Sequence, residues 1–124
     1  MFRAELIERI DGDAQVALIA SKFFDSEGSL VSFVENSLLH ADASSIRSYL
    51  AEHHGAEDLA DGLVEESGLI FNIQDAGTED RIAVEIFLPF DLLSQRFDHD
   101  SMRVNGNKRH KIYLAIEKML TDRF

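Results

Sequence analysis

The chain has no cysteine and no tryptophan, and only one proline and two tyrosines in 124 residues. Without thiols it can form no disulfide, thiolate metal site, iron–sulfur cluster or cysteine nucleophile, a composition suited to a reducing compartment. No apolar run approaches the roughly 20 residues that cross a bilayer. The opening MFRAELIERI carries charges where a secretion signal would be apolar. Together these features predict a cytoplasmic protein that does not enter membranes. Also missing are the G-x-x-x-x-G-K-S/T and G-x-G-x-x-G loops that cradle phosphates, the G-x-S-x-G elbow of serine hydrolases and the H-E-x-x-H zinc spacing. The sequence therefore assigns no cofactor, no metal and no catalytic residue.

Acid is what the chain has in plenty. The formal net charge is −11, and it is unevenly spread. Residues 1–80 carry 17 acids against 4 Lys or Arg, a balance of −13, while residues 101–124 carry 6 Lys or Arg against 2 acids, a balance of +4. A field this negative repels nucleic-acid phosphates and favours basic protein partners, and it also keeps a small domain soluble. The basic residues Arg103, Lys108 and Arg109 bracket Asn105-Gly106, a dipeptide favoured in tight turns. They could meet an acidic partner or fold back on the acidic part of the chain. The expected partner is a protein rather than nucleic acid, and the oligomeric state stays open, a homodimer included.

Periodicity suggests two regions. Apolar residues at 2, 6, 7 and 10 recur at helical spacing, Asp11-Gly12-Asp13 breaks the run, and Val16, Ile19, Ala20 and Phe23 form a second stripe. A third helix places Leu30, Phe33, Val34 and Leu38 inward behind a cap at Ser29. A fourth starts near Asp42 or Ser44 and ends at His53-His54-Gly55, and a further run over 56–66 is weakened by Gly62. From residue 69 the period becomes two. Leu69, Phe71 and Ile73, then Ile82, Val84, Ile86 and Leu88 after a loop at 76–80, predict an antiparallel hairpin over 69–75 and 81–88. Pro89 cannot donate to a ladder and is expected to end that strand and open a short helix. The tail reads either as a third strand near 110–116, from Ile112, Leu114 and Ile116, or as a helix carrying Ile112, Ile116, Met119 and Leu120. The expectation is a single α+β domain over 1–124, with a helical part at 1–68 packed on a small antiparallel sheet drawn from 69–124.

The run Ile82-Ala83-Val84-Glu85-Ile86-Phe87-Leu88-Pro89-Phe90-Asp91-Leu92-Leu93 resembles a motif in the C-terminal domain of bacterial proteins associated with von Willebrand A and MoxR modules. In that family a strand of the form hydrophobic-Glu-hydrophobic-Phe-Leu-Pro leads into a Leu-Leu helix, followed by Val-Asp-x-Trp. Here Arg96-Phe97-Asp98-His99-Asp100 keeps the aspartate as Asp98 and lacks the tryptophan. The resemblance covers residues 69–124. It implies a non-catalytic adaptor module of bacterial conflict or phage-defence systems, working beside proteases or ATPases.

For that adaptor reading the expected docking residues are Phe90, Leu93, Arg96 and Phe97, on the helix after Pro89, together with Arg103, Lys108 and Arg109 of the basic turn. An aromatic left outside the core is a natural interface anchor. Two other function classes compete. The −13 on residues 1–80 suits a small acidic inhibitor or immunity protein that covers a basic site on a toxin or nuclease. Asp98, His99 and His53 suit a hydrolase, because imidazole and carboxylate together can bind zinc or move protons.

Overall fold

Phe2, Ala4, Leu6, Glu8 and Ile10 are all buried, whereas Arg3, Glu5, Ile7 and Arg9 between them are half-buried. That is the period of a strand with one face on a core, not of a helix. The computed structural model describes residues 1–77 and 82–124, with the backbone alone at Ile82. In chain order it contains β1 (Phe2–Ile10), β2 (Gln15–Phe24), α1 (Glu27–Leu39), α2 (Ser44–His53), α3 (Ala56–Ala60), β3 (Gly68–Asp75), β4 (Ile82–Asp91), β5 (Arg96–Phe97), β6 (Arg103–Gly106) and α4 (Lys111–Arg123). A short 3-10 turn, His99–Ser101, joins β5 to β6.

The strands form one antiparallel sheet in the order β2-β1-β3-β4, with β5 and β6 both pairing along the far side of β4. The register aligns Leu6 of β1 with Phe71 of β3, and Phe71 with Ile86 of β4. Across the same face Ala4 meets Ile73 and Ile73 meets Val84. These apolar rows are covered by α1 through Leu30, Val34 and Leu38 and by α4 through Ile112, Tyr113, Ile116 and Met119. A second cluster lies at the end of the sheet, where Ala43, Ile46 and Leu50 pack with Ile10, Val64 and Phe90.

The caps explain where the helices start. Ser26 accepts the Ser29 N–H at 3.1 Å and so begins α1 earlier than a cap at Ser29 would. Asp42 accepts the Ser44 N–H at 2.9 Å ahead of α2. At α4 the His110 imidazole does this work, its Nδ1 accepting from Ile112 N–H at 3.1 Å while Nε2 donates to Asp75 at 3.1 Å.

Four expectations need correction. The helical part at 1–68 does not exist as such: residues 2–24 form the β1–β2 hairpin, and the main body of the fold is a six-stranded sheet rather than a small hairpin. Residues 56–66 are helical only over Ala56–Ala60, after which Gly62 takes φ +70°. Of the two readings of the tail the helix is the one present, as α4, so the third strand near 110–116 is absent and β6, with Asn105-Gly106 inside it, is the segment that extends the sheet. Pro89 stays within β4. Its carbonyl accepts from Asp98 N–H at 2.8 Å, so its imino nitrogen faces the gap between the β5 and β6 pairings, where no ladder partner is required. The hairpin over 69–75 and 81–88 is present as β3 and β4, while residues 78–81, which include most of its loop, lie outside the described residues.

Candidate functional site

After Pro89 the chain makes a tight turn rather than a helix. The Asp91 carboxylate accepts from Leu93 N–H at 3.2 Å, its carbonyl accepts from Gln95 N–H at 2.8 Å, and Gln95 takes φ 60°. The Arg47 guanidinium of α2 donates to the Gln95 carbonyl at 2.8 Å and ties the turn to the helical layer. At its tip Leu93 is 81% exposed, and Arg96 is exposed beside it. Phe90 is buried in the second cluster and meets half-buried Phe97 edge to face at 5.8 Å, so this aromatic pair belongs to the core rather than to a docking face. Of the basic residues, Arg103 lies over the Phe87 ring at 4.6 Å and pairs with Glu66, while Lys108 and Arg109 are exposed in the link from β6 to α4. The Arg103–Glu66 pair is the fold-back on acidic residues that the sequence left open, and Arg123 further along the tail pairs with Glu35 of α1 at 2.8 Å.

A run of exposed apolar residues lies where a helix was expected. On β2, Val16, Leu18, Ile19 and Phe23 are between 54% and 62% exposed. The register continues Leu18 into a row across the face that bears no helix, through Ile7, Ile70 and Phe87 to Arg103. Beside it Phe23 pairs with Arg3, whose guanidinium sits 5.9 Å from the Phe23 ring. As the end strand of the sheet, β2 leaves one row of backbone N–H and C=O groups without a strand partner among the described residues. Edge strands of soluble proteins are commonly blunted by charge, proline or brevity. Here the edge runs for 10 residues with Lys22 as its single charge and no proline. That acid-free segment in a chain of net charge −11 was the available sequence signal for this surface.

His53 and His99, the histidines of the hydrolase reading, are each held by a backbone carbonyl. His53 Nδ1 donates to the Tyr49 carbonyl at 2.9 Å and its ring stacks on Tyr49, while His99 Nε2 donates to the Leu38 carbonyl at 2.8 Å and its ring stacks on Phe124. Asp98 accepts from Asp100 N–H at 3.1 Å and from the Ser101 hydroxyl at 2.7 Å. Among the described residues no three His, Asp or Glu side chains gather as metal ligands.

His54 is different. Its Nε2 lies 2.9 Å from Asp11 and its Nδ1 3.1 Å from Asp58, an arrangement that both carboxylates favour when the ring is imidazolium. The hydrogen bond to Asp11, then that to Asp58, raises the His54 pKa above its ordinary 6.5. A raised histidine stabilises the fold fully below its unfolded pKa and loses that contribution as pH rises through the folded value. Urea denaturation should therefore show stability falling as the pH climbs from about 6.5 through the raised His54 value, with His54→Gln flattening that decline. An unchanged slope in the variant would mean that the network is not protonated in the fold.

Compared with protein-family models, with curated proteins and with solved structures, the chain matches none. No helix among the described residues is long and apolar enough to cross a membrane.

Proposed function

We propose that this protein is a non-catalytic protein-interaction module that receives an extended segment of a protein partner along the β2 edge. The observation that carries the reading is the exposure of Val16, Leu18 and Phe23, at 56%, 58% and 62%, on a strand with one side unpaired among the described residues. An added strand satisfies such an edge by main-chain hydrogen bonds, while apolar side chains on the adjoining face give it grip and selectivity. The exposed Leu93 and Arg96 of the β4–β5 turn, with Arg103, Lys108 and Arg109, form the sites of secondary contact in this reading. The resemblance of residues 69–124 supports reading the module as a cytoplasmic adaptor of a bacterial conflict system.

The test is partner capture by the wild-type chain and by a Leu18→Lys/Phe23→Glu double variant, with Leu93→Glu in parallel. The substituted β2 side chains are exposed, so the fold is expected to survive. Losing apolar anchors from an interface centre should weaken the partner by about tenfold or more. Full retention of the partner by the folded double variant would refute the edge as the docking element.

A second reading is favoured by charge. The −13 on residues 1–80 also suits an acidic inhibitor or immunity protein that binds a basic toxin or nuclease. Such binding would lose affinity steeply with added salt, whereas strand addition on an apolar edge would not.

A further inference from the structure

Every inward residue of β1 is apolar except one. Glu8, between Leu6 and Ile10, is 6% exposed and has neither a hydrogen bond nor an ion pair to any described residue. Its carboxylate oxygens are not sealed: they reach open space beside the strand while the rest of the side chain is enclosed, which makes the charge costly. Glu8 lines a cleft of about 340 Å³ between the β1–β2 hairpin and the connection from α1 to α2. Leu6, Ile19 and Leu69 give the cleft an apolar wall, and Asp42 brings a second carboxylate to it. Ser37 and His40, in the last turn and at the cap of α1, set the negative end of that helix at its rim.

The charges around Glu8 are one-sided. Asp42 is held ionised by the Ser44 hydroxyl and N–H, at 2.5 and 2.9 Å. Arg47 acts on Asp42 only through space, its guanidinium being given to the Gln95 carbonyl. Burial, and after it the neighbouring Asp42, pushes the Glu8 carboxyl above its ordinary range. His40 at the rim is the one other titratable group lining the cleft.

We propose that this cleft binds an alkylammonium group, with the ammonium held by Glu8 and Asp42 and the methylene chain against Leu6, Ile19 and Leu69. The volume is at the low end for ligand pockets and suits a single aliphatic chain rather than a nucleotide. A metal ion would demand more polar ligands than this half-apolar wall offers. A mobile ammonium reaches both carboxylates as a point charge with three donors. The same chemistry comes from a free diamine or from a lysine side chain of a partner segment. The cleft takes Ile19 from β2 but opens on the face of Leu6 and Glu8, opposite that of Leu18 and Phe23, so the Leu18→Lys/Phe23→Glu variant keeps it.

The test is an NMR titration of the labelled wild-type protein at neutral pH with cadaverine, the uncharged five-carbon alcohol 1-pentanol and Nα-acetyl-lysine N-methylamide. Cadaverine is expected to give saturable shifts at Leu6, Glu8 and Ile19, to bind at least about tenfold more tightly than 1-pentanol, and to weaken at least about tenfold in Glu8→Gln. The carbon signal of the wild-type Glu8 carboxyl should titrate at lower pH once cadaverine is added, a readout that needs no variant. Equal binding of the lysine amide assigns the site to a side chain, and much weaker binding of it assigns the site to a free diamine. The proposal is overturned by the absence of saturable shifts with cadaverine, by equal affinity for 1-pentanol, or by an unmoved Glu8 midpoint.

Discussion

Phe71→Ala should remove about 4 kcal/mol of folding free energy, within the 3–5 kcal/mol range of buried phenylalanine truncations. Phe71 is fully buried at the middle of β3, between Leu6 on one neighbouring strand and Ile86 on the other, beneath the layer of α1 and α4. Neither strand can slide to fill the space, because each is fixed by its own ladder, so most of the cavity persists. A domain of this kind is stable by only about 5–15 kcal/mol, and the variant should be partly unfolded at physiological temperature. Urea denaturation measures it; a loss below about 1.5 kcal/mol would show that the centre of the core lies elsewhere.

Asp11→Ala should cost about 2–3 kcal/mol, because it breaks the latch between the β1–β2 turn and the segment entering β3. Asp11 adopts φ 54°, a left-handed conformation that aspartate tolerates better than alanine, and its carboxylate accepts from Glu65 N–H at 2.8 Å and from His54 at 2.9 Å. Its own N–H donates to the Ser67 hydroxyl, and the N–H of Gly12 donates to the Glu66 carbonyl, both at 2.8 Å. The Glu65 N–H, followed by His54, holds the Asp11 carboxyl below its ordinary 3.8. A depressed carboxyl contributes stability above its unfolded pKa and loses it as pH falls through the folded value. Denaturation curves of wild type and variant should therefore draw together below about pH 3.8 and stay apart at neutral pH. A constant gap at all pH values would assign the loss to backbone strain alone.

Much of this fold could be read from residue order, and the failures have identifiable causes. Helices α1 and α2 and strands β3 and β4 have clean periods, and each was found near its place, although α1 starts earlier and β4 ends later than expected. β1 hid because its inward row contains a carboxylate, Glu8, while Ile7 sits on the outward row, which together imitate helical spacing. β2 hid because its pairing with β1 slips between Leu6 and Ile7, leaving Ile19 as an extra residue, so that Val16, Ile19 and Phe23 fall at intervals suited to a helix. Pro89 misled for a different reason: the gap between two short neighbours spares it the need for an N–H. The candidate surface followed the same pattern. Leu93, Arg96, Lys108 and Arg109 are at the surface as expected, while Phe90 went inward once the supposed helix proved to be a strand end.

The two margins of the sheet are unequal. One is the single continuous seam of β2, and the other is broken into a two-residue and a four-residue strand with Arg96 and Arg103 upon them. Growth into a fibre requires each added copy to present a fresh margin as good as the one it used. Two copies joined β2 to β2 would consume both long seams and expose only fragmented ones, so self-association by this route stops at a pair.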